Sequence, residues 1–227
     1  MTSLPFARLP ALTAALVSLL VLTSLGPASA SQVEEHRYHI LRGGSQVGIH
    51  EVRREVVGGE TRVSSSSRID VGLLGIDLYR FRYSAQEVWD REGLARLEVR
   101  VDDDGEPFRL DGQRDGKAFT WTSDAGRGEH GLPLYPTNHW HGGVLRQDRV
   151  LNTLTGNLSR VDIARTGNET LRLPTGEVQA ERYRYRGDLE LDAWYDARGR
   201  WLGMRFKGRD GSEIRYLCAT CTATPSL

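Results

Sequence analysis

The sequence predicts an all-β, mainly antiparallel fold, a large meander sheet curled into a barrel, half-barrel or clam, and three observations point there. Apolar and polar residues alternate with a period of two, as Leu97, Val99 and Val101 do against Arg96, Glu98 and Arg100, which makes one strand face apolar and the other charged. Short glycine-bearing links such as Gly43-Gly44, Gly58-Gly59, Asp104-Gly105, Asp115-Gly116 and Thr175-Gly176 separate the runs; links this short join antiparallel neighbours, because parallel ones need long crossovers. No amphipathic helical period of any length interrupts the pattern.

Taken in order, the first stretch is a leader. Arg8 precedes an uncharged, mostly apolar run from Leu9 to Leu25, then Gly26-Pro27 and the small triplet Ala28-Ser29-Ala30, the pattern of a secretory signal cleaved after Ala30. The helix-breaking Gly-Pro argues against an uncleaved anchor. Ser31, not a cysteine, follows the cut, so no thiol is offered for lipid attachment, and no twin-arginine pair is present. No later segment approaches the roughly 20 apolar residues that cross a bilayer as a helix. Basic residues are almost all arginine, Lys117 and Lys207 excepted, and with abundant Gly and Ala this resembles the codon bias of a GC-rich bacterium. The expected address is periplasmic or secreted.

The mature chain reads as a single β domain over 31–217 with strands near 35–42, 46–57, 61–73, 77–89, 94–102, 106–112, 117–123, 160–166, 169–173, 178–187, 189–195, 200–207 and 212–218. That number exceeds what a flat sheet carries, hence the expected curl. Tyr79, Phe81 and Tyr83 stand between Arg80 and Arg82, and Tyr183 and Tyr185 between Arg182, Arg184 and Arg186, so aromatics on one face and arginine on the other is a recurring device. Two Trp-bearing runs, Glu87-Val88-Trp89-Asp90 and Ala193-Trp194-Tyr195-Asp196, each lead into a glycine turn and suggest a repeated motif.

An insert at about 131–156 breaks the alternation: Leu132-Pro133-Leu134-Tyr135-Pro136, then Thr137 as the cap of a short helix over Asn138 to Leu145, with Leu151, Leu154 and Leu158 spaced for packing. It reads as a plug over an open barrel end, or as a lid or pocket wall.

A tail, 218–227, carries Cys218 and Cys221. In an oxidising compartment this pair is expected to close a small disulfide loop; a redox pair would want a helix start that the sequence does not offer. Among six histidines, His130, His139 and His141 are the candidate metal ligands, though no metal motif surrounds them, and a hydrogen-bonded imidazole is the plainer reading. Asp102-Asp103-Asp104-Gly105 lacks the spacing of a calcium loop and reads as a hairpin tip. Ser64 to Ser67 have no nucleophile elbow, and nothing in the linear order pairs the carboxylates Glu51, Glu87 and Glu190.

Tyr38 with the Gly44 to His50 hairpin, the Tyr79-to-Trp89 strand, Asn138-His139-Trp140, Thr155-Gly156 and Trp194-Tyr195-Asp196 together resemble a family of bacterial secreted β-sheet proteins, a domain of unknown function. The resemblance covers nearly the whole mature chain. It implies a large antiparallel sheet similar to the half-barrels of periplasmic lipoprotein carriers, and it supplies no catalytic residues.

The chain has 30 basic and 30 acidic residues, so no net attraction toward a polyanion exists and no nucleic-acid partner is expected. No catalytic set and no cofactor motif is assembled. The leading expectation is a non-catalytic envelope protein whose concave face binds an apolar, lipid-like ligand or a partner segment through Tyr79, Phe81, Tyr83, Trp89, Trp140, Tyr183, Tyr185 and Trp194. The alternatives are a solid scaffold that docks onto an envelope protein and an enzyme using a metal or the cysteine pair.

Overall fold

Alternation of the kind described builds most of the fourteen strands of the computed structural model, which describes residues 32–73 and 76–221. The expected leader and residues 222–227 of the tail lie outside the described residues. The strands are β1 (Gln32–Arg42), β2 (Ser45–Val57), β3 (Glu60–Leu73), β4 (Ile76–Asp90), β5 (Gly93–Asp103), β6 (Glu106–Asp115), β7 (Ala118–Ser123) and β8 (Gly126–Gly131) in the first half. The second half holds β9 (Arg149–Leu151), β10 (Leu158–Leu173), β11 (Gly176–Gly187), β12 (Leu191–Tyr195), β13 (Trp201–Lys207) and β14 (Glu213–Cys221). All lie in one sheet in the order β8-β7-β6-β5-β4-β3-β2-β1-β14-β13-β12-β11-β10-β9. Every pairing between these strands is antiparallel.

The topology is a meander sewn together in its middle. From β1 the chain winds outward to the β8 edge, crosses back over residues 132–148, and winds inward from β9 until β14 pairs with β1. The sheet stays open, since β8 and β9 do not pair, and accumulated strand twist curls it. Its two flanks approach closely enough for the Trp121 indole of β7 to donate to the Gly156 carbonyl at 2.8 Å, and for Arg209, beyond β13, to reach Asp103 on β5 at 2.8 Å.

Two strands escape a reading by alternation. β8, Gly-Arg-Gly-Glu-His-Gly, has no apolar side; the Trp121 ring lies against Gly128 and leaves no room for a Cβ there, so the neighbouring strand supplies the cover. β9 has three residues. Conversely, the two short strands expected over 160–173 are one, β10, with a bulge at Arg165/Gly167 in place of a turn.

The insert fills the concave face. Leu134, Val144, Val150 and Leu151 are buried in the main core with Val52, Ala85, Leu97, Val99 and Phe119 of the sheet, which is the plug reading. Its helix differs from expectation: a short 3-10 turn over Gly142–Arg146, capped by His141, whose Nδ1 accepts from the Gly143 amide at 3.0 Å. Two glycines at its start make a longer α-helix unfavourable. Thr137 caps nothing and instead accepts from the Thr153 amide at 3.1 Å, tying the two arms of the insert together.

A second, smaller core lies on the outer face. Leu171, Ala180, Trp194 and Leu202 are buried there, with Leu173 and Val178 packed against them. The β10 bulge turns Leu171 and Leu173 to the outer side, where they meet Trp194 of β12. The guanidinium groups of Arg182 and Arg205 lie 5.8 and 5.6 Å from the Trp194 ring centre. Both also bind Asp192 at 2.7 Å, and Arg184 reaches it at 3.1 Å.

Cys218 and Cys221 are disulfide-bonded within β14, which runs three residues past its expected end. Residues three apart on a regular strand face opposite ways. A bulge beside Arg37/Tyr38 adds one residue to β14 and brings the pair onto one side.

Candidate functional site

Between the plug and the ends of several strands lies an open cleft of about 640 Å³. It is lined by the start of β1 (Glu34, His36), by Val52 and Arg54 of β2, by Asp90 at the end of β4 and the β4–β5 turn (Arg91, Glu92), by the β12–β13 turn (Arg198, Gly199, Arg200) and by the plug. Its floor is aromatic. Trp89 packs on Tyr135 at 5.3 Å between ring centres, edge-on to Trp140 at 5.7 Å, and stacked with His141 at 5.1 Å. Burial lowers the His141 pKa, its Nδ1 accepts from Gly143, and the ring is held neutral against Trp89.

Beneath this floor sits Glu87, buried on β4. The Trp89 indole donates to its Oε2 at 2.7 Å, the Trp140 indole straddles both oxygens at 3.1 and 3.2 Å, and the Asn138 amide donates to Oε1. Burial raises the Glu87 pKa, and the three donors pull it back toward the carboxylate. Around Glu87 every partner is a donor, so a carboxylate fits and a protonated acid would meet no acceptor. Asn138 in turn accepts from the Tyr83 hydroxyl, which also reaches Thr153 at 3.2 Å.

A second buried polar group lies deeper under the plug. His50 Nδ1 and Ser67 Oγ are 2.8 Å apart, and the His50 ring meets Tyr38, Trp201 and Tyr216. His139 of the plug packs on Trp201 and Tyr185, with its backbone in the left-handed region and its carbonyl accepting from Tyr195 at 3.0 Å. Burial lowers His50 to about 3 and His139 to about 4, so both are neutral. Plug and sheet bury the Ser67-His50 pair, and the His50 Nε2 is buried without a hydrogen-bond partner among the described residues.

The aromatic residues singled out in the sequence divide accordingly. Trp89 and Trp140 line the cleft. Tyr83 and Tyr185 are on the inner face but buried against the plug, and Phe81 packs beside them. Tyr79 donates to Asp103 at 2.8 Å and Tyr183 to Glu181 at 2.8 Å, both partly buried. Trp194 is a correction: it points to the outer face, and the residue that matches Trp89 in facing inward is Tyr195. The two Trp-bearing runs are therefore not equivalent.

The three histidines are not gathered. His130 is on the edge strand β8, His139 is on the buried side of the plug and His141 is in the cleft; among the described residues no group of three or more His, Cys, Asp or Glu is placed to hold a metal ion. Glu51 is paired with Arg37 on the surface and Glu190 is exposed, so Glu87 alone of the three carboxylates is buried. Tyr135, Arg91 and Arg198 were missed in the sequence. Tyr135 comes from the plug and the two arginines from separate hairpin turns, and only the curl assembles them.

Fold and cleft together define an open antiparallel sheet, plugged on its concave side, with an aromatic cleft at one rim. The chain belongs to the DUF6134 family, a domain of unknown function, whose profile matches residues 38–219, from within β1 to within β14. The matched stretch includes plug and sheet alike. Among curated proteins none matches the chain.

Proposed function

We propose that the protein is a non-catalytic, exported envelope protein that binds a lipid-like ligand in the rim cleft. The observation that carries this reading is the cleft itself: its volume, about 640 Å³, falls within the roughly 300–1,000 Å³ of small-molecule sites, and its floor is built from Trp89, Tyr135, Trp140 and His141. The plug packs Leu134, Val144, Val150 and Leu151 into the core of the concave face, which supports the rim cleft over the whole sheet as the ligand's place. The leader pattern and the disulfide-bonded cysteines support an oxidising compartment outside the cytoplasm, the periplasm first. Native mass spectrometry of residues 31–227 after exposure to a lipid extract tests the reading. Retained amphiphiles, displaced in Trp140→Ala, are the expected result; protein that stays empty overturns it.

The filled trough favours a second reading, a scaffold with a solid core that docks onto another envelope protein. Empty protein in the lipid experiment, together with co-purification of one defined envelope partner, is the outcome this reading expects.

A further inference from the structure

The charges around the cleft are unevenly committed. Glu34 binds Arg54 at 2.8 Å, Asp90 binds Arg114 at 2.7 Å, Glu92 lies 3.6 Å from the same Arg114, and Arg200 is held by Asp196 at 2.8 Å. Every acidic residue in the lining thus already faces an arginine. Arg91 and Arg198 also line the cleft, and among the described residues neither has an ion pair. They stand on two hairpin turns, β4–β5 and β12–β13, that belong to opposite halves of the sheet and line the same cleft. The cleft therefore combines an aromatic floor with two uncommitted guanidinium groups at its mouth.

We propose that the ligand is an anionic amphiphile: its apolar part rests on Trp140 and Tyr135, and its phosphate or carboxylate head takes hydrogen bonds from Arg91 and Arg198. This rests on the ligand-binding reading above and adds the charge of the head group. Guanidinium suits such a head because its planar fork matches the oxygens of both anions, and the cleft carboxylates Glu34, Asp90 and Glu92 each face another arginine, Arg54 or Arg114. A neutral head group leaves both arginines unused, and a cationic one is repelled.

Titration of residues 31–227 with three probes, followed by tryptophan fluorescence and calorimetry, separates the outcomes. The probes are dodecyl phosphate and dodecyl maltoside, both below their micelle concentrations, and inorganic phosphate. Dodecyl phosphate is expected to bind roughly tenfold or more tightly than dodecyl maltoside at low salt, with the gap shrinking as salt rises. In Arg91→Gln/Arg198→Gln the two amphiphiles are expected to bind alike, at the wild-type affinity for the maltoside. Because both arginines are exposed, unpaired turn residues, the variant should melt as the wild type does, and that melt is the folding control. Equal binding of the two amphiphiles to wild type overturns the anionic head and leaves the binding cleft standing. Inorganic phosphate binding as tightly as dodecyl phosphate overturns the amphiphile in favour of a free anion. No binding of any probe, with no change in fluorescence, overturns the inference and the ligand-binding reading together.

Discussion

Asn138 and Glu87 meet across the boundary between plug and sheet, the amide of one donating to the buried carboxylate of the other. The contact joins a crossing segment with little regular structure to the middle of a strand, and Trp140 adds a second tie from the same segment. A carboxylate without a basic partner is costly to bury, and three nitrogen donors offset that cost here. Glu87 thus holds the plug in position and orients both indoles of the cleft floor.

Removing Glu87 leaves those donors unsatisfied. Glu87→Ala is expected to destabilise the fold by about 3 kcal/mol or more, read as a lower urea midpoint. Glu87→Gln keeps the shape but sets an amide NH2 against neighbouring donors, so it should cost less than alanine and more than nothing. A wild-type midpoint in Glu87→Ala contradicts the anchoring role.

Acid should loosen the protein over a defined window. His50 and His139 have folded pKa values of about 3 and about 4 against 6.5 when unfolded, so below pH 6.5 the unfolded chain binds more protons. Their contribution is intact above pH 6.5 and is lost progressively as pH falls toward 4. By pH 4.5 the loss is on the order of 5 kcal/mol for the pair at most. Glu87 works in the opposite sense: its raised pKa makes the folded chain the better proton acceptor, and its cost emerges as pH rises through 4.5. Melting temperatures from pH 7.5 to 4 should fall below pH 6.5, less so in His139→Gln relative to its own value at neutral pH. A flat profile refutes the assignment.

The two faces should respond separately. Trp194→Ala empties the outer core and is expected to cost about 3–5 kcal/mol while leaving ligand affinity in the rim cleft unchanged. Trp140→Ala should do the reverse, with a smaller loss of stability and a large loss of binding. Loss of binding in Trp194→Ala at a temperature where it remains folded would show that the faces are coupled.

The disulfide closes a very short loop, so its entropic contribution is small, about 2 kcal/mol. Reduction is expected to lower the denaturation midpoint modestly and leave a folded sheet. Complete unfolding on reduction, seen by circular dichroism, contradicts this.

Alternation made most of the sheet legible because period-two patterning needs only local information. It failed where the inward cover comes from a neighbour, as at Gly128 under Trp121, and where a strand is too short to show a period, as in β9. Trp194 was misplaced for a different reason. Leu191, Ala193 and Tyr195 alternate in step and assign Trp194 to the outside, but its likeness to the Trp89 run put it among the ligand-facing aromatics, and the β10 bulge that turns Leu171 onto it is not written in the local pattern. Trp89 and Trp140 were visible as aromatics in strand and insert. The cleft was not, because its walls come from β1, two distant hairpin turns and the plug, and no linear pattern records a curl that brings them together.

Because β1 and β14 are neighbours at the centre of the sheet, the pairing that completes the fold joins the two ends of the domain in sequence. A chain arriving N-terminus first can form hairpins as it emerges, yet its earliest strand keeps one edge bare until the latest one appears. Such a molecule has a high contact order and a correspondingly slow closing step, and it stays vulnerable to foreign strands for that whole interval. Its assembly is timed by its final nine-residue strand.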